Sequence, residues 1–77
     1  MYDLEVVIRR RPLHVPGIAA EDRVKEIIES ALAAWGIAPP YRLRGGTAER
    51  AFADQLAKTG EYLHSEAEYS IVVKRSA

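Results

Sequence analysis

Apolar side chains recur every three or four residues over residues 20–37, and this spacing predicts an amphipathic helix. The apolar stripe consists of Ala20, Val24, Ile27, Ile28, Ala31 and Trp35. Gly36 can take the left-handed conformation that ends a helix, and the two prolines that follow prevent continuation. Trp35 is the largest side chain of the stripe, so it is expected to contribute the largest apolar burial of the core.

A second helical pattern begins at Thr47 and is expected to end at Gly60. Its stripe consists of Ala48, Phe52, Leu56 and Thr59. Leu63 joins this stripe if the helix continues through Gly60. The alanine-rich composition of the segment favours a helix.

Both ends of the chain alternate apolar and polar side chains, as half-buried strands do, over residues 2–11 and 67–75. The core-facing sets are Leu4, Val6 and Ile8 in the first segment and Tyr69, Ile71 and Val73 in the second. Pro12, Pro16 and Gly17 interrupt the first pattern. Arg11–Ile18 is therefore expected to be a loop that leads to the first helix.

The resulting order of strand, helix, helix and strand predicts an α+β fold with two layers, in which antiparallel terminal strands are packed on two helices. Charge supports the antiparallel arrangement, because both strands begin acidic and end basic. The predicted register sets Val6 opposite Val73 and Glu5 beside Lys74.

Two strands alone make a marginal sheet with two open edges. Either residues 41–44 add a short third strand, or a second copy of the chain pairs along an edge to form a homodimer. The two prolines and two glycines within residues 38–46 favour a loop there over a strand.

The composition limits the classes of protein that the chain can belong to. The 77 residues suffice for a single domain, 1–77, and contain no cysteine, so no disulfide framework or thiolate metal site is expected. No apolar run approaches the ~20 residues of a membrane span. We therefore expect a cytoplasmic protein that does not contact membranes. Eleven basic residues balance eleven acidic ones, so binding by charge requires a local cluster.

A local cluster is predicted where the second helix begins. Free amides at a helix N-terminus attract anions, and antiparallel strands bring the basic end of the chain to the same end of the molecule. The predicted binding surface consists of Arg42, Arg44, Gly45, Gly46, Thr47, Lys74 and Arg75. Its expected ligand is a phosphate, a nucleic-acid backbone or an acidic patch on a partner protein. The alternative is a glycine turn with a helix cap and solvated arginines.

Two further groups of residues could carry chemistry. Arg9, Arg10 and Arg11 could contact phosphates, although acidic residues of the last strand are expected to neutralise them. The tyrosines that could stack on bases are Tyr2, Tyr41, Tyr62 and Tyr69. His14 and His64 are expected at one end of the molecule, near Glu61 and Glu66. These residue types can form a metal site or a proton-transfer pair, but the spacing fixes no third metal ligand.

The sequence holds no catalytic motif, metal-ligand cluster or nucleotide loop, and no cofactor is expected. A chain this short leaves little room for a ligand pocket of roughly 300–1,000 Å³ beside its own core, so an enzyme is not expected. The chain is predicted to be a small non-enzymatic interaction module that covers the surface of a protein partner. Inhibitors encoded by phages or mobile elements, such as anti-CRISPR proteins, act in this way, but the analogy rests on size, lack of chemistry and self-contained organisation, and not on a motif. The alternatives are a nucleic-acid-binding accessory protein and a structural subunit that assembles through strand edges.

Overall fold

The computed structural model of the chain describes residues 1–39 and 46–76. The elements in chain order are β1 (Tyr2–Ile8), β2 (Arg11–Ile18), α1 (Glu21–Ala33), α2 (Gly46–Thr59), β3 (Glu61–Ser65) and β4 (Tyr69–Arg75). The fold is α+β, as predicted, with one four-stranded antiparallel sheet and two helices. The prediction missed β2 and β3, and the alternative strand at residues 41–44 lies outside the described residues.

The sheet has the strand order β2-β1-β4-β3, so the first and last strands are its central pair. They run antiparallel, as predicted, but the predicted register is wrong by two residues. Val73 lies opposite Leu4 rather than Val6, and Lys74 lies opposite Asp3 instead of the predicted glutamate. Since side chains alternate with period two, this shift leaves each of them on its predicted face.

The segment expected to be a loop is β2, which pairs with β1 through a two-residue turn. Its prolines do not break the ladder because β2 is an outer strand, where a residue whose N–H faces away from the sheet loses no hydrogen bond when it is proline. The pairing also has an irregularity opposite residues 2–4, close to Pro16 and Gly17. The prolines and Gly17 therefore indicate an edge strand and not a loop.

Helix α1 is shorter than predicted and ends at Ala33. The N–H of Ile37 donates to Leu32 O, the N–H of Gly36 donates to Ala33 O, and Gly36 has a φ of 70°, which together make a Schellman cap. The predicted burial of Trp35 is wrong, because Trp35 lies in the turn that closes the helix, and 38% of its surface is exposed. The fully buried stripe of α1 is Val24, Ile28 and Leu32.

Helix α2 ends at Thr59, and Gly60 follows with a φ of 74°. Phe52 and Leu56 are buried, as their spacing predicts. Leu63 does not join this stripe, because the helix stops and Leu63 lies in β3 with 56% of its surface exposed. Neither described helix, of 13 and 14 residues, is long and apolar enough to span a membrane.

The helices cover one face of the sheet and leave the other open. Leu4, Val6, Ile71 and Val73 are fully buried and form one cluster with the buried residues of both helices. Strand alternation places Val7, Leu63 and Val72 on the open face.

Candidate interaction surface

The turn between β1 and β2 carries three consecutive arginines. Its two central residues, Arg9 and Arg10, have φ values of 50° and 69°, as the narrow turns of two-residue hairpins require. Asn-Gly is the favoured pair in such turns, whereas a side chain with a Cβ in the left-handed region costs roughly 1–2 kcal/mol. The turn therefore exposes two arginines at an energetic cost to the fold.

Trp35 lies beside two of these arginines. The Cζ atoms of Arg9 and Arg11 are 5.6 and 5.8 Å from the centroid of its ring. Each contact is within the range of a cation–π interaction, worth about 0.5–1 kcal/mol at an exposed site. We call Arg9, Arg10, Arg11 and Trp35 the Arg–Trp tip. It presents an indole ring in contact with two guanidinium groups at one end of the sheet.

The turn between β3 and β4 places acidic residues close to the Arg–Trp tip. The N–H of Arg9 donates to Glu68 O at 2.8 Å, and its guanidinium lies 3.7 Å from the Glu68 carboxylate. This ion pair is long and more than half exposed on both sides, so it contributes little. Within the described part of the chain, Arg10 and Arg11 have no carboxylate within ion-pair distance. The expected neutralisation therefore involves Arg9 alone.

The predicted cationic surface is only partly within the described residues. Arg42, Arg44 and Gly45 lie outside them, and Gly46 and Thr47 begin α2. Lys74 lies opposite Asp3 in β1 and Glu61 in β3. The binding role of this surface stays a prediction.

Arg75 contacts the C-terminus of α2, at the opposite end of the helix from Gly46. Its guanidinium donates to Leu56 O at 3.0 Å, which also accepts the Gly60 N–H, and to Ala57 O at 3.2 Å, so it adds charged donors to carbonyls at the C-terminus of the helix. Its N–H donates to Gly60 O at 2.6 Å, and a Cβ built on Gly60 would lie 3.1 Å from the Arg75 Cβ. Since α2 is 14 residues long, about 20 Å of helix separates Arg75 from Gly46.

The end of the molecule that holds Arg75 also holds the start of α1. The Arg75 Cζ lies 5.7 Å from the centroid of the Tyr2 ring, and the Tyr2 hydroxyl donates to Glu21 Oε1 at 2.9 Å. Two hydrogen bonds lower the pKa of the Glu21 carboxyl. The larger effect comes from the backbone at the start of α1, and the second from the Tyr2 hydroxyl. The N-terminus of α1 thus lies beside the start of β1.

The two histidines do not come together. His14 lies on the open face in β2, opposite Glu5, whereas His64 lies on the helix-covered face of β3, where its Nε2 is 3.0 Å from Glu66 Oε1. In residues 1–39 and 46–76, no group of three histidine or acidic side chains is arranged to hold a metal ion.

The described tyrosines lie in the core or pack against it, and they do not form a surface on which bases could stack. Tyr2 is 5% exposed, and Tyr62 makes an edge-to-face contact with Phe52 at 4.6 Å between centroids. Partial burial raises the pKa of the Tyr62 and Tyr69 hydroxyls. These rings are not free to stack on nucleic-acid bases.

The sequence singled out the arginines of the Arg–Trp tip but not their partner ring. Trp35 was assigned to the core, although it directly precedes the predicted helix end at Gly36, and the structure shows that it is partly exposed. Comparison of the chain with protein-family models, curated proteins and solved structures found no match.

Proposed function

We propose that this chain is a small non-enzymatic binding module that uses the Arg–Trp tip to cover an acidic surface on a partner protein. The observation that carries the proposal is the left-handed backbone of Arg9 and Arg10. A glycine or asparagine would fit this turn at lower energy. Strained positions of this kind concentrate where a protein binds, so the arginines are better explained by recognition than by folding.

The composition of the tip supports a protein interface. Tryptophan and arginine are the side chains that most often dominate the binding energy of such interfaces. Trp35 is 38% exposed and already held by Arg9 and Arg11, so little side-chain entropy is lost when a partner covers it. Arg10 and Arg11 remain available to partner carboxylates.

The surroundings of the tip favour a protein over a nucleic acid. Glu66 and Glu68 lie on the neighbouring turn, where a nucleic-acid backbone that reached the arginines would meet carboxylates. A protein surface can match both signs of charge. The balanced net charge of the chain also gives no long-range attraction to a polyanion.

The proposed setting is the cytoplasm, in keeping with a sequence that contains no cysteine. Inhibition by covering a partner, as small proteins of phages and mobile elements such as anti-CRISPR proteins do, fits a module of this size. That part of the proposal is an analogy.

Affinity capture from the native host tests the proposal when the variants are matched. The intact chain is compared with the double variant Arg10→Ala/Arg11→Ala, and with Arg23→Ala as the control. Arg23 is an exposed arginine near the start of α1, paired with Glu26 at 2.9 Å, away from the tip. We expect the intact chain and Arg23→Ala to retain the same protein, and the double variant to lose it. The affinity for the purified partner should fall as salt is added.

Other outcomes separate the remaining functions. Equal capture by all three chains would remove the tip from consideration, and Arg42→Ala/Arg44→Ala would then test the other predicted surface. Loss of capture after nuclease treatment, with a mobility shift that fades in salt, would instead establish a nucleic-acid-binding accessory protein.

A further inference from the structure

The outer edge of β3 has backbone groups that no other strand uses within residues 1–39 and 46–76. The N–H of Glu66 donates to Tyr69 O at 2.8 Å, and the N–H of Arg75 donates to Gly60 O at 2.6 Å. In an antiparallel ladder, successive residues direct their hydrogen bonds to opposite sides. Residues 62 and 64 therefore bond to β4, and residues 61, 63 and 65 direct their N–H and C=O groups out of the sheet.

One of these three residues already has a partner. The Thr59 hydroxyl oxygen accepts the Glu61 N–H at 3.3 Å and lies 3.1 Å from the Glu61 carbonyl oxygen. The free part of the edge is thus a short window with two N–H and two C=O groups, from Leu63 and Ser65. In the described part of the chain, no strand covers it.

The opposite edge of the sheet is protected. The N–H of Arg9 donates to Glu68 O, so the odd-numbered residues of β1 bond to β4 and its even-numbered residues bond to β2. The register then directs the backbone groups of Pro12 and His14 away from the sheet, and Pro16 follows two residues after His14. Proline has no N–H, so this edge cannot offer a continuous ladder. An added strand therefore belongs on β3.

We propose that a second copy of this chain pairs with β3 in antiparallel orientation, about a two-fold axis at His64. This register sets Leu63 opposite Ser65 of the second copy and makes two hydrogen bonds at each of the two equivalent pairs. All four free groups of each copy are satisfied, and the contact between Thr59 and Glu61 stays intact. A register centred on Leu63 would break that contact. The fit of the window to itself selects a second copy as the occupant.

The side chains on both faces are compatible with this pairing. On the open face Leu63 is 56% exposed and lies beside Val72, so two diagonal leucines would join the apolar residues of the two sheets. On the other face the two His64 rings would meet, each beside its own Glu66 carboxylate at 3.0 Å. Five residues of edge strand bury less than the ~1,200 Å² of a stable interface, so the dimer is expected to be weak and to depend on concentration.

Sedimentation equilibrium over a concentration series from micromolar to millimolar tests the dimer, together with amide hydrogen exchange of the unmodified chain. Leu63→Lys places two ammonium groups at diagonal positions on the same face of the dimer, where they repel each other. His14→Lys is the matched control, because it places the same charge on the same face of the opposite edge strand. We expect the unmodified chain and His14→Lys to dimerise alike, and Leu63→Lys to dimerise about tenfold more weakly. The amide protons of Leu63 and Ser65 should exchange more slowly as the concentration rises.

Three results would overturn the proposal. The first is an unmodified chain that stays monomeric throughout the series, with exchange at these two amides independent of concentration. The second is equal weakening by both lysine substitutions, which would assign the contact to the open face of the sheet. The third is growth beyond a dimer, because a two-fold pairing closes on itself. The exchange measurement needs no substitution, so a variant that fails to fold leaves the test intact.

Discussion

Replacing Arg10 with glycine separates what the β1–β2 turn costs from what it does. Arg10 has a φ of 69°, is exposed and has no ion pair in the described residues. Glycine relieves the roughly 1–2 kcal/mol that a side chain costs in the left-handed region. It also returns roughly 0.5–1 kcal/mol of chain entropy to the unfolded state. The expected net gain in the free energy of unfolding is about 0.5–1 kcal/mol.

Urea unfolding followed by circular dichroism measures this gain, and thermal unfolding should show a Tm rise of about 2–8 °C for a domain of this size. Arg10→Ala is the matched control, because it removes the same charge but keeps a Cβ at the same φ. Its free energy of unfolding should stay within about 0.5 kcal/mol of the unmodified chain. Both variants should bind the partner more weakly, and to the same extent.

The combination of a more stable fold with weaker binding is the signature of a residue kept for recognition. If Arg10→Gly were no more stable than Arg10→Ala, the turn would not be strained and the argument for the Arg–Trp tip would lose its basis. If the glycine variant were more stable and bound the partner normally, Arg10 would have no part in binding.

Three further predictions concern the fold. Leu32→Ala should lower the free energy of unfolding by about 2–5 kcal/mol, clearly more than Trp35→Ala, because Leu32 is fully buried and Trp35 is 38% exposed; denaturant titrations that rank them the other way would contradict the assignment of the core. Arg75→Gln should destabilise the chain by about 1–3 kcal/mol through loss of the charged donors to the end of α2, and exchange of the α2 amides shows whether the last turn frays. Glu21→Gln should destabilise the chain at neutral pH but not in acid, since folding lowers the pKa of this carboxyl and its stabilising effect is lost as the pH falls below the ordinary value of 4.5. A loss from Glu21→Gln that stayed constant with pH would refute the last prediction.

The antiparallel centre of the sheet could be predicted although two of its four strands were missed. Each missed strand adds one reversal of the chain, so two of them leave the relative direction of β1 and β4 unchanged. They do change which end of the molecule each helix starts from, and α1 begins beside Tyr2 and not beside Arg9. This is why the predicted grouping of Arg75 with the start of α2 does not hold.

The two strands were missed in the prediction for different reasons. In β2, Pro12 and Pro16 break the expected alternation, but an outer strand tolerates them where no hydrogen bond is lost. In β3 the alternation is inverted, since His64 faces the helices while Leu63 is exposed. A pattern of buried apolar residues cannot identify such a strand.

The register was missed because the charges that selected it repeat. Acidic residues occupy both positions 3 and 5, and arginines occupy both 9 and 11. A shift by two therefore still pairs opposite charges. Only the turn that closes β1 onto β2 and the contacts of Arg9 with Glu68 distinguish the two registers.

Pairing of the first and last strands at the centre of the sheet affects when the molecule can fold during its synthesis. While a nascent chain still holds β4 inside the ribosome, β1 and β2 can form only an isolated hairpin, which is marginal in water. Neither helix then has a complete sheet to cover. The closure of a contact that spans nearly the whole chain is slow, so we expect folding to follow the exit of β4 as a single late event.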